Sequence, residues 1–372
     1  MSKIMIIGVG RVGQAAAKLL RFTTGHTVVL VDASVVSLTS ALVELEATPT
    51  ALMPGSLVIR SASDETVLER IFEQERPDLV ICSTPFSVNI QVARLAAQHR
   101  CHYIDFTEDD VVTDVISQLD VGSATFVPQT GLAPGLVTYL GLDLFTGLGK
   151  PKELKLRVGA LPQSNIGPGH YAITWSPEGL INEYLKPARR KLNHRVESTG
   201  SLNSVEDLVI GATRYEAFTT AGGVGNLAAY EGIPSVNYKT LRYPGHLSFM
   251  RNLLLQLDFD FQAGVKTIRE LFPVTREDVI VLLAAASDEE GEIATFGAHF
   301  YPDPTLNLTA LELTTAGTGV AVVELILKGS LPSGVVLPSA IKLADLAGTA
   351  AHALVMARCE FPRQADAILG AS

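Results

Sequence analysis

Charge is scarce in this chain. Lys, Arg, Asp and Glu make up 18% of its 372 residues, against 47% hydrophobic residues. A chain so composed is well supplied for burial, and a surface so poor in charge is expected to be partly covered by another subunit. Cysteine is scarcer still. Cys82, Cys101 and Cys359 form no C-x-x-C pair, lie among apolar neighbours and exclude a disulfide framework. Cations are outnumbered, 29 Lys and Arg against 39 Asp and Glu, for a net charge of −10. That balance excludes non-specific attraction to nucleic acid or anionic membrane, while leaving room for a local basic cavity that takes a carboxylate. The first residues show no basic-then-apolar leader, and no apolar stretch reads as long enough to span a membrane, so a soluble, cytoplasmic protein is expected. The eight histidines include no H-x-x-x-H, and no metal site is expected. Gly-x-Ser-x-Gly is absent as well.

What is present is concentrated at the start. Ile4–Ile7 is a buried-strand run that ends at Gly8-Val-Gly10-Arg11-Val12-Gly13, and Ala15–Leu20 continue in good helix formers. A second apolar run, Thr27–Val31, ends in Asp32. Strand, glycine turn, helix, strand and acid in this order form the dinucleotide fingerprint. Gly8 permits the turn, Gly10 leaves room for a diphosphate, and Gly13 lets helix and strand pack closely. The helix N-terminus offers unpaired N–H groups to the phosphates. Asp32 is placed for the adenosine ribose and would repel a 2′-phosphate. Ala33 and Ser34 bring no cation, so NAD is favoured. Arg11, in the turn itself, keeps NADP open.

Further strands are expected at Leu57–Ile59, Leu79–Ser83, Cys101–Asp105 and Thr125–Val127. Helices are expected between them, one opening at Ser63-Asp64-Glu65-Thr66 and one capped by Thr107. This alternation predicts an α/β fold, a Rossmann-type doubly wound parallel sheet. Ligands sit beyond the strand C-terminal ends in such sheets, where Ser83, Thr84 and Pro85, then Asp105, Thr107 and Glu108, then Gln129–Gly135 with Gly131 all fall. The length predicts two domains. After Gly149 the pattern alternates, with strands read at Leu154–Val158, Tyr215–Phe218, Val279–Leu283, Ala294–Phe296 and Leu306–Leu313. Leu247, Met250, Leu254 and Leu257 recur at helical spacing. Ala316-Gly-Thr-Gly319 then reads as opening a helical tail. The expected domains are residues 1–135 for the dinucleotide, 136–312 as an inserted α+β domain for substrate and dimerisation, and 313–372 as helices returning to the first domain.

Two polar clusters stand out in the insertion. Asn237-Tyr238-Lys239-Thr240-Leu241-Arg242-Tyr243-Pro244-Gly245-His246 brings three kinds of cation together. Lys239 and Arg242 suit a carboxylate, and His246 suits proton transfer near neutral pH. A solvated pair and a helix-capping histidine fit the same spacing. Trp175-Ser-Pro-Glu178-Gly179 holds the only tryptophan. Trp175 could wall an aliphatic substrate or anchor a core, and Glu178 could pair with an ammonium. Asp105 could bind an amine or simply cap a helix. Glu183, Lys186, Arg189 and Arg190 read as a solvated helix face.

Taken together, GVGRVGQ from Gly8, YIDFTED from Tyr103, TGLAPG from Thr130, WSPEG from Trp175, YEAFTTAGG from Tyr215, NYKTLRYPGH from Asn237 and LTTAGTG from Leu313 resemble the saccharopine dehydrogenase-like family. The likeness is to its short members similar to lysine 6-dehydrogenase and carboxynorspermidine dehydrogenase. The resemblance implies an NAD(P)-linked oxidation of an amino-acid carbon–nitrogen bond, or the reverse imine reduction, in a homodimer. With NAD favoured, it implies a lysine 6-dehydrogenase-like reaction first: lysine and NAD to the 6-semialdehyde, ammonia and NADH. Saccharopine- or carboxynorspermidine-type imine reduction is the second expectation, and a non-catalytic NAD-binding sensor or scaffold the third. The resemblance implies that the Asp105 loop, Trp175 to Glu178 and Lys239 to His246 line the cleft; Lys239, His246, Asp105 and Glu178 are the catalytic candidates there, and the resemblance does not settle which carries the proton. Arg242, Tyr238, Trp175 and Thr107 would contact substrate. Gly8, Gly10, Arg11, Val12, Gly13, Asp32, Ser83, Thr84, Pro85 and Gly131 would hold the cofactor.

Overall fold

The structure is a computed structural model that describes residues 1–46, 57–61, 64–164, 167–291 and 293–361. In chain order the elements begin β1 (Lys3–Ile7), α1 (Arg11–Thr23), β2 (Thr27–Asp32), α2 (Val35–Glu46), β3 (Leu57–Ser61), α3 (Glu65–Glu75), β4 (Leu79–Cys82), α4 (Phe86–Gln98), β5 (His102–Asp105), α5 (Asp110–Ile116) and β6 (Thr125–Val127). There follow α6 (Leu136–Thr146), β7 (Pro151–Pro162), α7 (Pro177–Leu185), β8 (Ala188–Leu192), β9 (Arg195–Thr199), β10 (Glu206–Ile210), β11 (Thr213–Phe218), β12 (Ser235–Arg242), α8 (His246–Gln256), α9 (Phe261–Leu271), β13 (Asp278–Asp288) and β14 (Ile293–Phe300). The chain closes with α10 (Ala310–Leu327), β15 (Gly334–Val335), α11 (Leu343–Ala347), α12 (Ala350–Met356) and β16 (Cys359–Glu360).

Two compact units result. The first comprises Met1–Leu136, Asp303–Leu308 and Glu312–Ala357; the second comprises Val137–Pro302, Thr309–Leu311 and Arg358–Ser372. The first unit's sheet runs β15-β6-β5-β4-β1-β2-β3, every pairing parallel. The order reverses between β1 and β4, the switch point where doubly wound sheets take their ligands. Strand β1 after Lys3, and all of β4, are apolar because both faces of a parallel sheet are covered. Met5, Val29, Val80, Tyr103 and Phe126 share a core with Phe72 of α3 and Val92 of α4. The second unit's sheet runs β10-β11-β12-β7-β13-β14-β16, with β8 and β9 attached to β12. Its pairings are antiparallel except β12 with β7. Helices α7, α8 and α9 pack through Leu180, Ile181, Met250, Leu254 and Ile268.

Several local expectations are corrected. Leu306–Leu313 is not a strand. Asp303 and Leu308 exchange backbone hydrogen bonds across a tight turn, and α10 begins at Ala310. The cap for α10 is the buried Asp278 carboxylate on β13, which accepts from Ala310 N at 2.7 Å and Leu311 N at 2.9 Å. The start signal is therefore tertiary and cannot be read locally. Ala316–Gly319 lies inside α10, and its glycines are packing notches. A Cβ at Gly317 would stand 2.4 Å from Val355, and one at Gly319 would stand 2.5 Å from Phe106. Thr107 does not cap α5. The Asp109 carboxylate does, accepting from Val111 N and Val112 N, while Thr107 Oγ1 accepts from Asp109 N. Asp64 caps α3, and Ser63 lies outside the described residues. Finally, α10 has a mean hydropathy of 1.5 over 18 residues, enough by length and composition for a membrane span. It is 78% buried inside the fold, as a core helix is.

Candidate functional site

In the first unit the glycine turn joins β1 to α1. Gly8 has a positive φ of 88°, and a Cβ on it would stand 2.5 Å from Ser83 O. A Cβ on Gly13 would stand 2.0 Å from Gly8 O, so helix and strand touch backbone to backbone. A Cβ on Gly10 would meet nothing within 4 Å. Gly10 therefore borders open space, as a residue approached by a ligand must. Helix α1 has no side-chain cap and no acid in its first turn, so the amide groups around Arg11, Val12 and Gly13 have no side chain competing for them. Asp32 closes the turn, accepting from Val9 N at 2.6 Å and Ser34 N at 2.7 Å. Arg11 Nε donates to Glu312 of α10 at 2.8 Å, and its Nη2 is buried without a partner. These features fit a dinucleotide diphosphate.

Beyond β4, Ser83 N bonds Ile7 O, Thr84 Oγ1 meets the Asn89 side chain at 2.9 Å, and Pro85 precedes α4. Beyond β5, Asp105 is fully buried. Its carboxylate accepts from Tyr103 Oη, Thr107 N and Gln129 N at 2.8, 3.0 and 3.0 Å. Its carbonyl accepts from Thr130 N and Thr130 Oγ1. Burial pushes its pKa up, against the pull of these donors. Asp105 thus ties two strand-end loops together, the second continuing into Gly131, whose O accepts from Leu136 N. An amine could reach it only by displacing those bonds.

In the second unit β12 divides the expected cations. Side chains alternate along a strand, so Lys239 and Arg242, an odd distance apart, lie on opposite faces and do not share one carboxylate. On one face Lys239 Nζ donates to Glu206 at 2.5 Å, and Arg157 donates to the same carboxylate at 2.8 and 2.9 Å. Burial lowers the Lys239 pKa, partly offset by Glu206. On the other face lie Tyr238, Thr240 and Arg242. Thr240 Oγ1 meets Thr220 Oγ1 at 2.7 Å, and Tyr238 is buried beside Gly223, where a Cβ would stand 2.3 Å from its ring.

Arg242 is 2% exposed. Its Nε donates to Tyr184 Oη at 3.0 Å and its Nη1 to Leu241 O at 2.9 Å. Its Cζ lies 5.3 Å from the centre of the Tyr171 ring. Burial opposes its charge, but Tyr184, Tyr171 and Glu183 outweigh burial and hold it protonated. Tyr184 Oη also bonds His246 Nε2 at 2.9 Å, and His246 Nδ1 bonds Gly169 O at 2.9 Å. His246 is fully buried as the first residue of α8. Burial, then the nearby Arg242 charge, lowers its pKa to about 3, so it is neutral at pH 7 and poorly suited to carry a proton there. Beside Arg242 lies Tyr171, whose buried hydroxyl faces Thr174 Oγ1 and Trp175 Nε1; none of the three makes a well-formed hydrogen bond. Such unmet groups call for a ligand's polar atoms. Glu178 stands elsewhere. It is half-buried at the start of α7 and pairs with Arg269 of α9.

Sequence reasoning missed Tyr184, Tyr171, Thr174 and Glu206. Glu183, read as solvated, is 7% exposed and acts on Arg242. The signal for Tyr184 was available: Ser176-Pro177 is a helix start, and Leu180, Ile181 and Tyr184 then fall on one apolar face.

A doubly wound sheet with an open glycine turn at its first strand–helix junction defines a dinucleotide-binding protein. The saccharopine dehydrogenase NADP binding domain matches residues 4–125, and the saccharopine dehydrogenase C-terminal domain matches residues 131–354. The chain belongs to the saccharopine dehydrogenase-like family of NAD(P)-dependent dehydrogenases. It is 27% identical over 214 residues to mouse mitochondrial alpha-aminoadipic semialdehyde synthase, a match covering 52% of this chain but only 22% of that protein. In fold it is similar to apo saccharopine dehydrogenase (L-Glu forming) from Saccharomyces cerevisiae, with a TM-score of 0.71, 13% identity and 96% of each chain covered.

Proposed function

We propose that this dehydrogenase acts on the carbon–nitrogen bond of an amino acid in the manner of a saccharopine dehydrogenase, reducing an imine to a secondary amine or running the reverse oxidation. The observation that carries this reading is the buried Arg242, held by Tyr184 and Leu241 O, with the Tyr171 ring against it. A buried guanidinium so held suits a carboxylate, with the Tyr171 hydroxyl as a further polar group beside it. Both family domains and the aminoadipic semialdehyde synthase likeness support saccharopine-type chemistry over the lysine 6-dehydrogenase reading drawn from the short-member motifs. Bound NAD(P) would supply or accept the hydride. The chain's own part is to hold the diphosphate on the Gly8–Gly13 turn and fix the substrate carboxylate on Arg242.

Turnover tests this directly. NAD(P)H formation is expected with L-saccharopine, with release of a free amino acid. L-lysine oxidised with release of ammonia would move the assignment to the lysine 6-dehydrogenase reading. Carboxynorspermidine turnover would move it to the polyamine branch. Saturable cofactor binding with none of these substrates consumed would leave a sensor or scaffold. The Asp32 carboxylate beside Ala33 and Ser34 supports NAD over NADP. Asp32→Asn keeps an acceptor for Val9 N and removes the charge. The NADP-to-NAD preference should rise, and no change would refute the charge argument. A homodimer and a cytoplasmic location complete the proposal; sedimentation and cell fractionation test them.

A further inference from the structure

We infer that Tyr184 and His246 are positioning residues that aim the Arg242 guanidinium at its ligand, an assignment that rests on Arg242 being the carboxylate site proposed above. The hydrogen-bond chain has only one arrangement of protons. Arg242 at one end can only donate, and the Gly169 carbonyl at the other end can only accept. Arg242 Nε–H therefore donates to Tyr184 Oη, Tyr184 O–H donates to His246 Nε2, and His246 Nδ1–H donates to Gly169 O. Each group uses the one proton it has, and His246 must be the neutral Nδ1–H tautomer.

A protonated His246 would break this order. Nε2–H would need Tyr184 Oη as acceptor, and the Tyr184 proton would then have nowhere to go. A second cation would also be buried beside Arg242. The groups facing His246 leave no way out. Tyr171 lies at 5.2 Å and Tyr184 at 5.9 Å between ring centres, and Phe218 stacks at 6.4 Å. The Arg242 charge lowers its affinity for a proton. Glu216, on the neighbouring strand, is already taken by Gly245 N and Leu247 N. Anchored through Nε and Nη1, the guanidinium keeps its Nη1/Nη2 end for a planar, two-oxygen ligand. His246 thereby passes from proton carrier to the far end of a brace.

Tyr184→Phe removes one hydroxyl from a ring that stays packed. With L-saccharopine as probe, its Kd and KM are expected to rise about tenfold, while kcat stays within about threefold and cofactor affinity is unchanged. His246→Gln, which retains an acceptor and a donor, should fall between wild type and Tyr184→Phe. Histidine-15N spectra of the apoprotein should show the resonance that His246→Gln deletes as an Nδ1–H tautomer that does not titrate from pH 5 to 8, and Tyr184→Phe should shift it. A large kcat loss in His246→Gln at unchanged KM, or a titrating His246, would make it an acid–base group and overturn the inference. Arg242→Ala separates the two claims. If it leaves saccharopine binding intact, or if the wild type binds no saccharopine, the carboxylate reading fails and the inference with it. If Arg242→Ala weakens binding and Tyr184→Phe does not, the brace alone is wrong.

Discussion

The cofactor turn of the first unit is made of backbone, and the Arg242 pocket of the second is made of side chains. At the turn, function comes from atoms that are missing: no Cβ at Gly8, Gly10 or Gly13, and no side-chain cap on α1. At Arg242, the proposed carboxylate binding rests on atoms that are present and held by a chain of three hydrogen bonds. The first site should fail when a methyl group is added and the second when a hydroxyl is taken away. Within the turn itself the glycines divide again, because Gly13 faces backbone and Gly10 faces open space.

That division gives the largest expected effect. Gly13→Ala drives a methyl to 2.0 Å from Gly8 O, where only backbone can yield. A loss of stability of about 3 kcal/mol or more is expected, seen as a large fall in melting temperature or as insoluble protein. Gly10→Ala meets nothing in the chain. Its melting temperature should stay within a few degrees of wild type, while the cofactor Kd rises about 100-fold as the methyl takes the diphosphate's space. Equal effects of the two changes would break the distinction between packing glycine and ligand glycine.

Asp105 is the side chain on which the backbone-built unit depends. Asp105→Ala leaves Thr107 N, Gln129 N and Tyr103 Oη buried without acceptors, at a cost of about 3 kcal/mol by thermal or denaturant unfolding. Asp105→Asn keeps an oxygen for the two amides and should cost only about 1 kcal/mol. The readout that separates positioning from chemistry is kcat. A general acid or base loses about 10²–10⁴ in kcat on conversion to the amide. A loop tie loses little, with the change appearing in cofactor affinity.

His246 supplies the matching test in the second unit. Its pKa is depressed to about 3 from 6.5. The unfolded chain binds a proton there below pH 6.5 and the folded chain does not, so stability from this group is full above that pH and falls as pH drops through the window. The slope is about 1.4 kcal/mol per pH unit. Denaturant unfolding at pH 6 and pH 4 should show this slope reduced in His246→Gln by roughly that amount. Asp105 works with the opposite sign. Its raised pKa lets the folded form hold a proton longer, so its contribution weakens as pH rises from the usual carboxylate range. The variant comparison isolates the histidine.

The difference between the two sites also explains what the sequence could tell. The places of Gly8, Gly10, Gly13 and Asp32 are set by neighbours a few residues away or on the next strand, so spacing alone located the turn. The parallel, doubly wound character of the first sheet followed from the same alternation of short apolar runs and helices. At β12 the spacing misled. Lys239, Arg242 and His246 look like one cluster until the segment is recognised as a strand, whose alternation sends Lys239 to Glu206 and Arg242 to Tyr184. The partners that decide each role come from β10, β7 and α7, which no local pattern connects to β12. The start of α10 failed for the same reason, its cap lying on β13.

Lys239 gives the smallest effect and the sharpest check on the two faces of β12. Its ammonium shares Glu206 with Arg157, which already holds that carboxylate through two nitrogens. The Glu206 pKa is lowered overall: burial raises it, and the bonds and charges of Arg157 and Lys239 more than offset burial. Stability from this cluster is therefore present above the usual carboxylate range and lost as pH falls through the folded-state value. Lys239→Met removes the weaker of the two partners and leaves the bidentate one. A loss of about 1 kcal/mol is expected at neutral pH, with kcat/KM for saccharopine within about threefold of wild type. Arg242→Lys, only three positions along the strand, keeps its charge and should nevertheless lose far more activity, because an ammonium cannot take the place of the braced fork. A hundredfold loss of kcat in Lys239→Met would place that lysine at the reacting atoms and put both cations back in one site, against the alternation that separates them.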